Sequence, residues 1–386
     1  MRFVHTADWQ LGMTRRRLGE DAQARYSAAR RDAVAGLGEL AARTGAEFVV
    51  VAGDVFEHNQ LAPQVISQSL EAMRRIAVPV YLLPGNHDPL DAASVYTSRQ
   101  FIRECPDNVT VLDRDGVHPV APGVELVAAP WRSKRPTTDL AAAALDGLGP
   151  AGDGVRILLA HGGVDSLDPD PTNPALIGSA VIEEALARGI VHYVALGDKH
   201  SRTEVGGSGR FFYSGSPEVT NFADIEPDPG HVLVVDIDTT DSRRPVTVSP
   251  HRVGRWRFHT VRRRVDTAAD IDALADELDR LPDKDRTVVR WALTGTLTVT
   301  DRAALDDCLE RYSRLLASLE PWDRHTDLAV LPADGEFDDL GLGGFAAAAV
   351  EELTTQARGA DPQAADDAQA ALALLLRLVD HDRGAA

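Results

Sequence analysis

Five short polar motifs near the start of the chain carry residue types that bind divalent cations and move protons. They are Asp8-Trp9-Gln10, Gly53-Asp54, Gly85-Asn86-His87-Asp88, His161-Gly162-Gly163 and Gly197-Asp198-Lys199-His200. Asp, Asn and His together are ligands for hard and borderline divalent metals. Each motif follows an apolar run that reads as a buried strand: Phe3-Val4, Phe48 to Ala52, Val80 to Leu83, Ile157 to Ala160 and Tyr193 to Leu196. A polar side chain just past the end of a central strand sits at the mouth of an α/β sheet, where ligands bind. The pattern predicts one polar cluster assembled from distant parts of the sequence.

The elements that must position this cluster alternate. Asp21 to Arg43 has helical spacing, with Gly45 as its C-cap, and the strand Glu47 to Ala52 follows. Pro63 to Ile76 reads as the next helix, and Pro79 opens the strand Val80 to Leu83. This β-α-β-α-β order predicts an α/β fold. Residues 109–130 read as short meander strands beside the first sheet. Phe211 to Tyr213, His231 to Ile237 and Val246 to Val248 read as antiparallel strands of a second sheet.

A basic stretch, 251–264, reads as a strand or linker and places a boundary near 265. Residues 266–335 predict a small α/β unit: helix Ala268 to Leu281, one long strand or a strand pair Thr287 to Thr300, helix Arg302 to Leu319 and strand Thr326 to Pro332. Residues 336–386 predict two helices, 345–357 and 362–380, after the Gly-rich Leu340 to Gly344. The expected domains are therefore 1–265, 266–335 and 336–386.

With 386 residues, 44% of them apolar, the chain can bury a large core, and its length predicts two or three domains. The distant Cys105 and Cys308 form no metal-type spacing and fit a reducing cytoplasm. The N-terminus enters a strand pattern without a signal-peptide profile. The longest apolar stretch, Ala370 to Leu376, is too short for a membrane span. A net charge of −19 argues against a surface coated for nucleic acid. It leaves room for local basic patches such as Arg15-Arg16-Arg17, and Arg132, Lys134 and Arg135 beside Trp131. These read either as contacts for DNA phosphates or as solvated surface.

Taken in order, the five motifs resemble the calcineurin-like metallophosphoesterases. The opening His5-Thr6-Ala7-Asp8-Trp9-Gln10-Leu11-Gly12 is similar to the start of the SbcD-type DNA repair exonucleases. The resemblance implies a four-layer α/β/β/α sandwich with a small α/β capping domain and a helical C-terminal tail. It implies two divalent ions that clamp the attacking and leaving oxygens of a phosphodiester. Asp54 would bridge them, with Asp8, Gln10 and His200 at the first and Asn86, His161 and Asp198 at the second. His87 would serve the leaving group, oriented by Asp88. DNA is the implied substrate, cut by an exonuclease that can also act as an endonuclease. A coiled-coil SMC-like ATPase, bound by the tail, and a second copy of the chain are the implied partners.

The sequence departs from the family at three places. Gln10 and Asp198 stand where ligand histidines are usual, and Glu57 where a catalytic histidine is usual, with His58 adjacent. The resulting donor set is rich in oxygen, which favours Mn²⁺, or Mg²⁺, over Zn²⁺. Two other readings stand beside the nuclease. One is a phosphomonoesterase or cyclic-nucleotide phosphodiesterase on the same core. The other is a non-catalytic scaffold with a degenerate metal site.

Overall fold

The computed structural model describes residues 1–331 except 169 and 171, residues 344–357, and residues 364, 367, 368, 371, 372, 374 and 375. The chain divides into two compact units, Met1–Trp256 and Arg257–Ala386.

In the first unit, β1 (Arg2–Thr6), α1 (Glu20–Thr44), β2 (Phe48–Val51), α2 (Pro63–Arg74), β3 (Val80–Leu82), α3 (Arg99–Glu104) and β4 (Val109–Val111) alternate. The hairpin β5 (Gly116–Ala121) and β6 (Val124–Ala128) follows. Then come α4 (Leu140–Leu145), β7 (Val155–His161), α5 (Ser179–Ala187), β8 (Tyr193–Gly197), β9 (Thr203–Glu204), β10 (Phe211–Tyr213), β11 (His231–Ile237) and β12 (Val246–Arg252). They build two six-stranded sheets, β12-β11-β1-β2-β3-β4 and β5-β6-β7-β8-β10-β9.

β2 explains the layering. Phe48 and Val50 join Leu126, Ile157, Leu159 and Tyr193 in the core between the sheets. Val49 and Val51 face the other way, into a core shared with Val34, Leu37, Leu70 and Met73 of α1 and α2. Ile182, Ala185 and Leu186 of α5 close the far side of the second sheet with Leu158 and Val194. A strand buried on both faces must be apolar throughout, and the expected α/β/β/α sandwich results. Gly45 ends α1 at φ 70°, as its sequence position predicts.

Two expectations about strands need correction. Of the strands in 109–130, only β4 joins the first sheet; β5 and β6 open the second. β11 and β12 do not belong to the second sheet. β11 pairs antiparallel with β1, and β12 with β11. Alternation in the sequence marks these segments as strands but carries no information about which exposed edge each will meet.

The second unit holds β13 (Arg257–Arg264), α6 (Ala268–Asp279), β14 (Thr287–Thr298), α7 (Val299–Ser313), β15 (Ser318–Pro321), β16 (Asp327–Leu331) and α8 (Phe345–Ala357). Among the described residues its strand pairings are parallel and centre on β14. The division falls after Trp256 rather than at 265, because Arg257 to Arg264 pairs residue by residue with Thr287 to Thr294. Helix α7 starts at Val299 rather than Arg302, since the Thr298 side chain accepts from Asp301 N as an N-cap. Most of the 362–380 helix expected in the partner-binding tail lies outside the described residues. No helix among the described residues is long and apolar enough to cross a membrane.

His5 places a polar side chain between the two sheets, inside their apolar core. His5 of β1 is fully buried. Its ring nitrogens meet the Tyr193 hydroxyl at 3.0 Å and the Leu196 carbonyl at 3.1 Å, both from β8. A neutral ring satisfies both, donating to the carbonyl and accepting from the phenol. Burial outweighs the Leu196 hydrogen bond and lowers the His5 pKa from 6.5 to about 3. The unfolded chain therefore takes up a proton below pH 6.5 that the folded chain refuses until about pH 3. Stability from this site is complete above pH 6.5 and falls as pH drops, by about 2 kcal/mol at pH 5. Urea midpoints should record that slope in the wild type and lose it in His5→Gln, which keeps a donor and an acceptor.

Candidate metal centre

The polar motifs leave the C-terminal ends of parallel neighbours: β1, β2 and β3 in the first sheet, β7 and β8 in the second. The chain must turn sharply after each. Among the described residues, four of the six non-glycine residues with positive φ are Asp8 (52°), Gln10 (42°), Asp54 (52°) and Asp198 (105°). Strained backbone of this kind concentrates at functional sites and persists only where its surroundings enforce it. Here the enforcement is visible. Asp8 N donates to the Gly53 carbonyl at 3.0 Å and Gln10 N to the Asp54 carbonyl at 2.9 Å. Buried Arg30 of α1 donates to the Trp9 carbonyl at 2.7 and 3.1 Å and to the Asp8 carbonyl at 3.4 Å. Gly53 and Gly85 are required for space. A Cβ on Gly53 would fall on the His161 ring, and one on Gly85 on the Asp54 carboxylate.

The turns bring Asp8, Gln10, Asp54, Asn86, His161, Asp198 and His200 to one place. Donor atoms of Asp8, Asp54 and His161 all lie within 4.8 Å of one another. His161 Nδ1 donates to the Ala52 carbonyl at 2.9 Å. Its Nε2 faces Asn86 Oδ1 at 2.9 Å, Asp54 Oδ1 at 3.3 Å and Asp198 Oδ1 at 3.8 Å. On the other side, Gln10 Nε2 lies 3.3 Å from His200 Nε2, and Gln10 Oε1 is buried without a hydrogen-bond partner. Asp198 N donates to both Asp8 carboxylate oxygens at 3.0 and 3.1 Å.

The electrostatics match a cation site. Burial raises the Asp8 pKa to about 7 and also raises that of Asp198. Burial opposes the charge on His161, but Asp54, Asp8 and Asp198 outweigh it and lift its pKa to about 9. Oxygen lone pairs crowded in a dry site need positive charge, from protons or from metal. An orphaned amide oxygen and a His161 ring whose Nδ1 is already engaged fit the divalent ions expected from the sequence.

His87 sits at the rim, with its side chain 37% exposed. Its Nδ1 donates to the Glu57 carbonyl at 2.8 Å, and its Nε2 lies 3.9 Å from Asp54 Oδ2. The expectation that Asp88 orients His87 is corrected. Asp88 is fully buried and accepts from Phe56 N at 2.9 Å, Gly85 N at 2.8 Å and the Tyr96 hydroxyl at 2.6 Å. It ties the Gly85 loop to the chain after Asp54. Sequence adjacency pointed to an i, i+1 pair, but successive side chains at a turn diverge. Glu57 Oε2 lies 3.9 Å from His87 Nδ1, whereas exposed His58 accepts from Gln60 N and stays outside the cluster. His192 accepts from Arg156 N at 3.1 Å, away from the site.

The basic residues divide. Arg15 is partly buried, and its guanidinium donates to the Thr220 carbonyl; Arg16 and Arg17 are exposed. Trp131 offers no stacking face. It is 7% exposed, and its indole donates to the His161 carbonyl at 2.7 Å. Arg132 pairs with Asp115 at 3.2 Å. Arg132 and Arg135 line an open cavity of about 640 Å³ with Ser133, Thr137 and Leu140, while Lys134 is exposed. The sequence reading missed Arg30, Thr220 and Glu226, all buried around the site. A charged residue in the middle of the amphipathic α1 pattern was the one signal available for Arg30.

Residues 1–202 match the family model described as calcineurin-like phosphoesterase. The chain is 28% identical over 377 residues to the SbcD component of the nuclease SbcCD of Rhodobacter capsulatus, covering 83% of this chain and 87% of that protein. It is 33% identical over 94 residues to the DNA double-strand break repair protein Mre11 of Archaeoglobus fulgidus, covering 23% of this chain and 19% of that relative. Among solved structures, TT1561 of Thermus thermophilus aligns with a TM-score of 0.41 and 12% identity, over 65% of this chain and 98% of that one.

An ion entering this cluster must displace the proton that His161 holds below about pH 9. Mn²⁺ affinity should therefore rise between pH 7 and 9, with proton release registered by calorimetry in buffers of different ionisation enthalpy. His161→Asn should weaken binding and flatten this dependence.

Proposed function

The chain belongs to the calcineurin-like metallophosphoesterases, and from that premise we propose that it is a two-metal nuclease that hydrolyses phosphodiester bonds of DNA from the strand end. The observation that carries this reading is the convergence of Asp8, Asp54 and His161 within 4.8 Å, with His87 Nε2 at the rim. Asp54 would be shared between the two ions, with Asp8, Gln10 and His200 holding one and Asn86, His161 and Asp198 the other. The ions, when bound, supply Lewis-acid activation and neutralise charge on the phosphate.

The remaining steps belong to the protein. Asp8, Asp54 and Asp198 set where positive charge collects, and so where the phosphate docks. Water attacks phosphorus and gives up a proton to solvent while the bond to the leaving oxygen breaks. With Nδ1–H held by the Glu57 carbonyl, His87 offers Nε2, and a proton there passes to the leaving oxygen. The oxygen-rich donor set favours Mn²⁺ or Mg²⁺ over Zn²⁺.

The similarity to a nuclease component favours DNA over a small phosphate ester. Its 83% coverage is more than the first unit alone supplies. That relative is named as one part of SbcCD, which supports an ATPase partner of the SMC type. We place the protein in the cytoplasm, where its two free cysteines stay reduced, and as a dimer. Exposed Arg16, Arg17, Lys134 and Arg135 are our candidate contacts for DNA phosphates.

The test is Mn²⁺-dependent release of nucleotides from end-labelled linear duplex DNA. Asp54→Ala should abolish release, and His87→Ala should lower kcat by about 10²–10⁴-fold. Hydrolysis of a small chromogenic phosphate without any DNA cleavage would overturn the assignment, and highest turnover with Zn²⁺ would overturn the metal preference.

A further inference from the structure

Beyond the residues that converge on the candidate centre lies a buried carboxylate that no motif contains. Glu226 is 3% exposed, in the connection between β10 and β11. Its Oε1 lies 2.7 Å from His200 Nδ1 and accepts from the Thr220 hydroxyl. Its Oε2 accepts from Thr220 N at 2.9 Å and from Asn221 N at 2.8 Å. Thr220 Oγ1 also lies 2.7 Å from His200 Nδ1. Because the threonine hydroxyl gives its proton to Glu226, it can only accept from the histidine.

Every partner around Nδ1 is thus an acceptor, and the ring must carry its proton there. This leaves Nε2 as the lone-pair nitrogen, turned toward Gln10 and the cluster. A metal-bound histidine commonly donates its other N–H to a carboxylate, which fixes the ring's tautomer and orientation. We propose that Glu226 is a positioning residue that holds His200 ready as a metal ligand. The proposal rests on the metal-binding reading of the site but not on the identity of the substrate.

The geometry also says why the residue is a glutamate. Four donors converge on its two oxygens, which uses the full accepting capacity of a carboxylate. A glutamine has one oxygen. It can serve His200 and Thr220 Oγ1, or the two backbone amides, but in either case its NH₂ faces donors. Glu226→Gln should therefore behave as a loss of function in spite of its shape.

The experiment is calorimetric titration of Mn²⁺ into the full chain, as wild type, Glu226→Gln, His200→Ala and the double variant. Glu226→Gln should weaken the site containing His200 by about 10–100-fold. In the His200→Ala background the same change should matter less than about twofold, as expected when one residue acts through the other. Equal losses in both backgrounds would mean that Glu226 only supports its loop and would overturn the proposal, as would wild-type affinity in Glu226→Gln. A wild type that takes up no Mn²⁺ would overturn the metal-binding reading itself and this proposal with it.

One measurement needs no change at Glu226. In ¹⁵N-histidine-labelled wild-type protein at pH 8, with His200→Ala used only for assignment, the His200 ring should show a proton on Nδ1. A ring protonated on Nε2 alone would overturn the proposal.

Discussion

Two buried carboxylates, Asp8 and Asp54, are held together with the half-buried Asp198 beside them, and the turns of the first unit are organised around that repulsion. Asp8 is fully buried and Asp54 is 2% exposed. Buried like charges are costly unless neutralised. Neutralisation is available where Asp8, Asp54 and Asp198 meet the imidazoles of His161 and His200. Burial raises the Asp8 pKa, whereas that of His161 rises against burial because Asp54, Asp8 and Asp198 surround it.

Such an arrangement stands only if its scaffold is stiff. The motifs are anchored to the ends of strands buried in the cores on either side of the sheets. The turns beyond those ends are tied by backbone hydrogen bonds, by the buried guanidinium of Arg30 and by the Asp88 carboxylate. A site carried on rigid elements with locked supporting contacts holds geometry more closely than one on free loops. His161 illustrates the principle: Ala52 holds its Nδ1, and the Trp131 indole holds its carbonyl.

The four substituted or doubtful positions acquire different characters in three dimensions. Gln10 and Asp198 keep their side chains with the cluster, and both adopt the left-handed backbone that the turns demand. Glu57 reaches His87 chiefly through its backbone carbonyl, which any residue would supply. His58, one residue on, is turned to its own loop. A one-residue displacement along an irregular turn redirects a side chain, so a neighbour of the same chemical type does not replace it.

Much of the fold and most of the cluster were legible in the sequence, for physical reasons. Strands such as β2 and β8, buried on both faces, must be continuous apolar runs, and the polar residue following each run is conspicuous. Helices α1 and α2 announce themselves by period and by Gly45 and Pro63. Tertiary structure alone decided which sheet β5, β6, β11 and β12 would join, because strand pairing is set by edges that alternation does not encode. It alone gave Asp88 to Phe56, Gly85 and Tyr96 rather than to His87. It also brought Glu226 to His200 across 26 residues. Local periodicity and spacing record what a segment does to itself, whereas hydrogen bonds between loops depend on where the packed sheets deliver them.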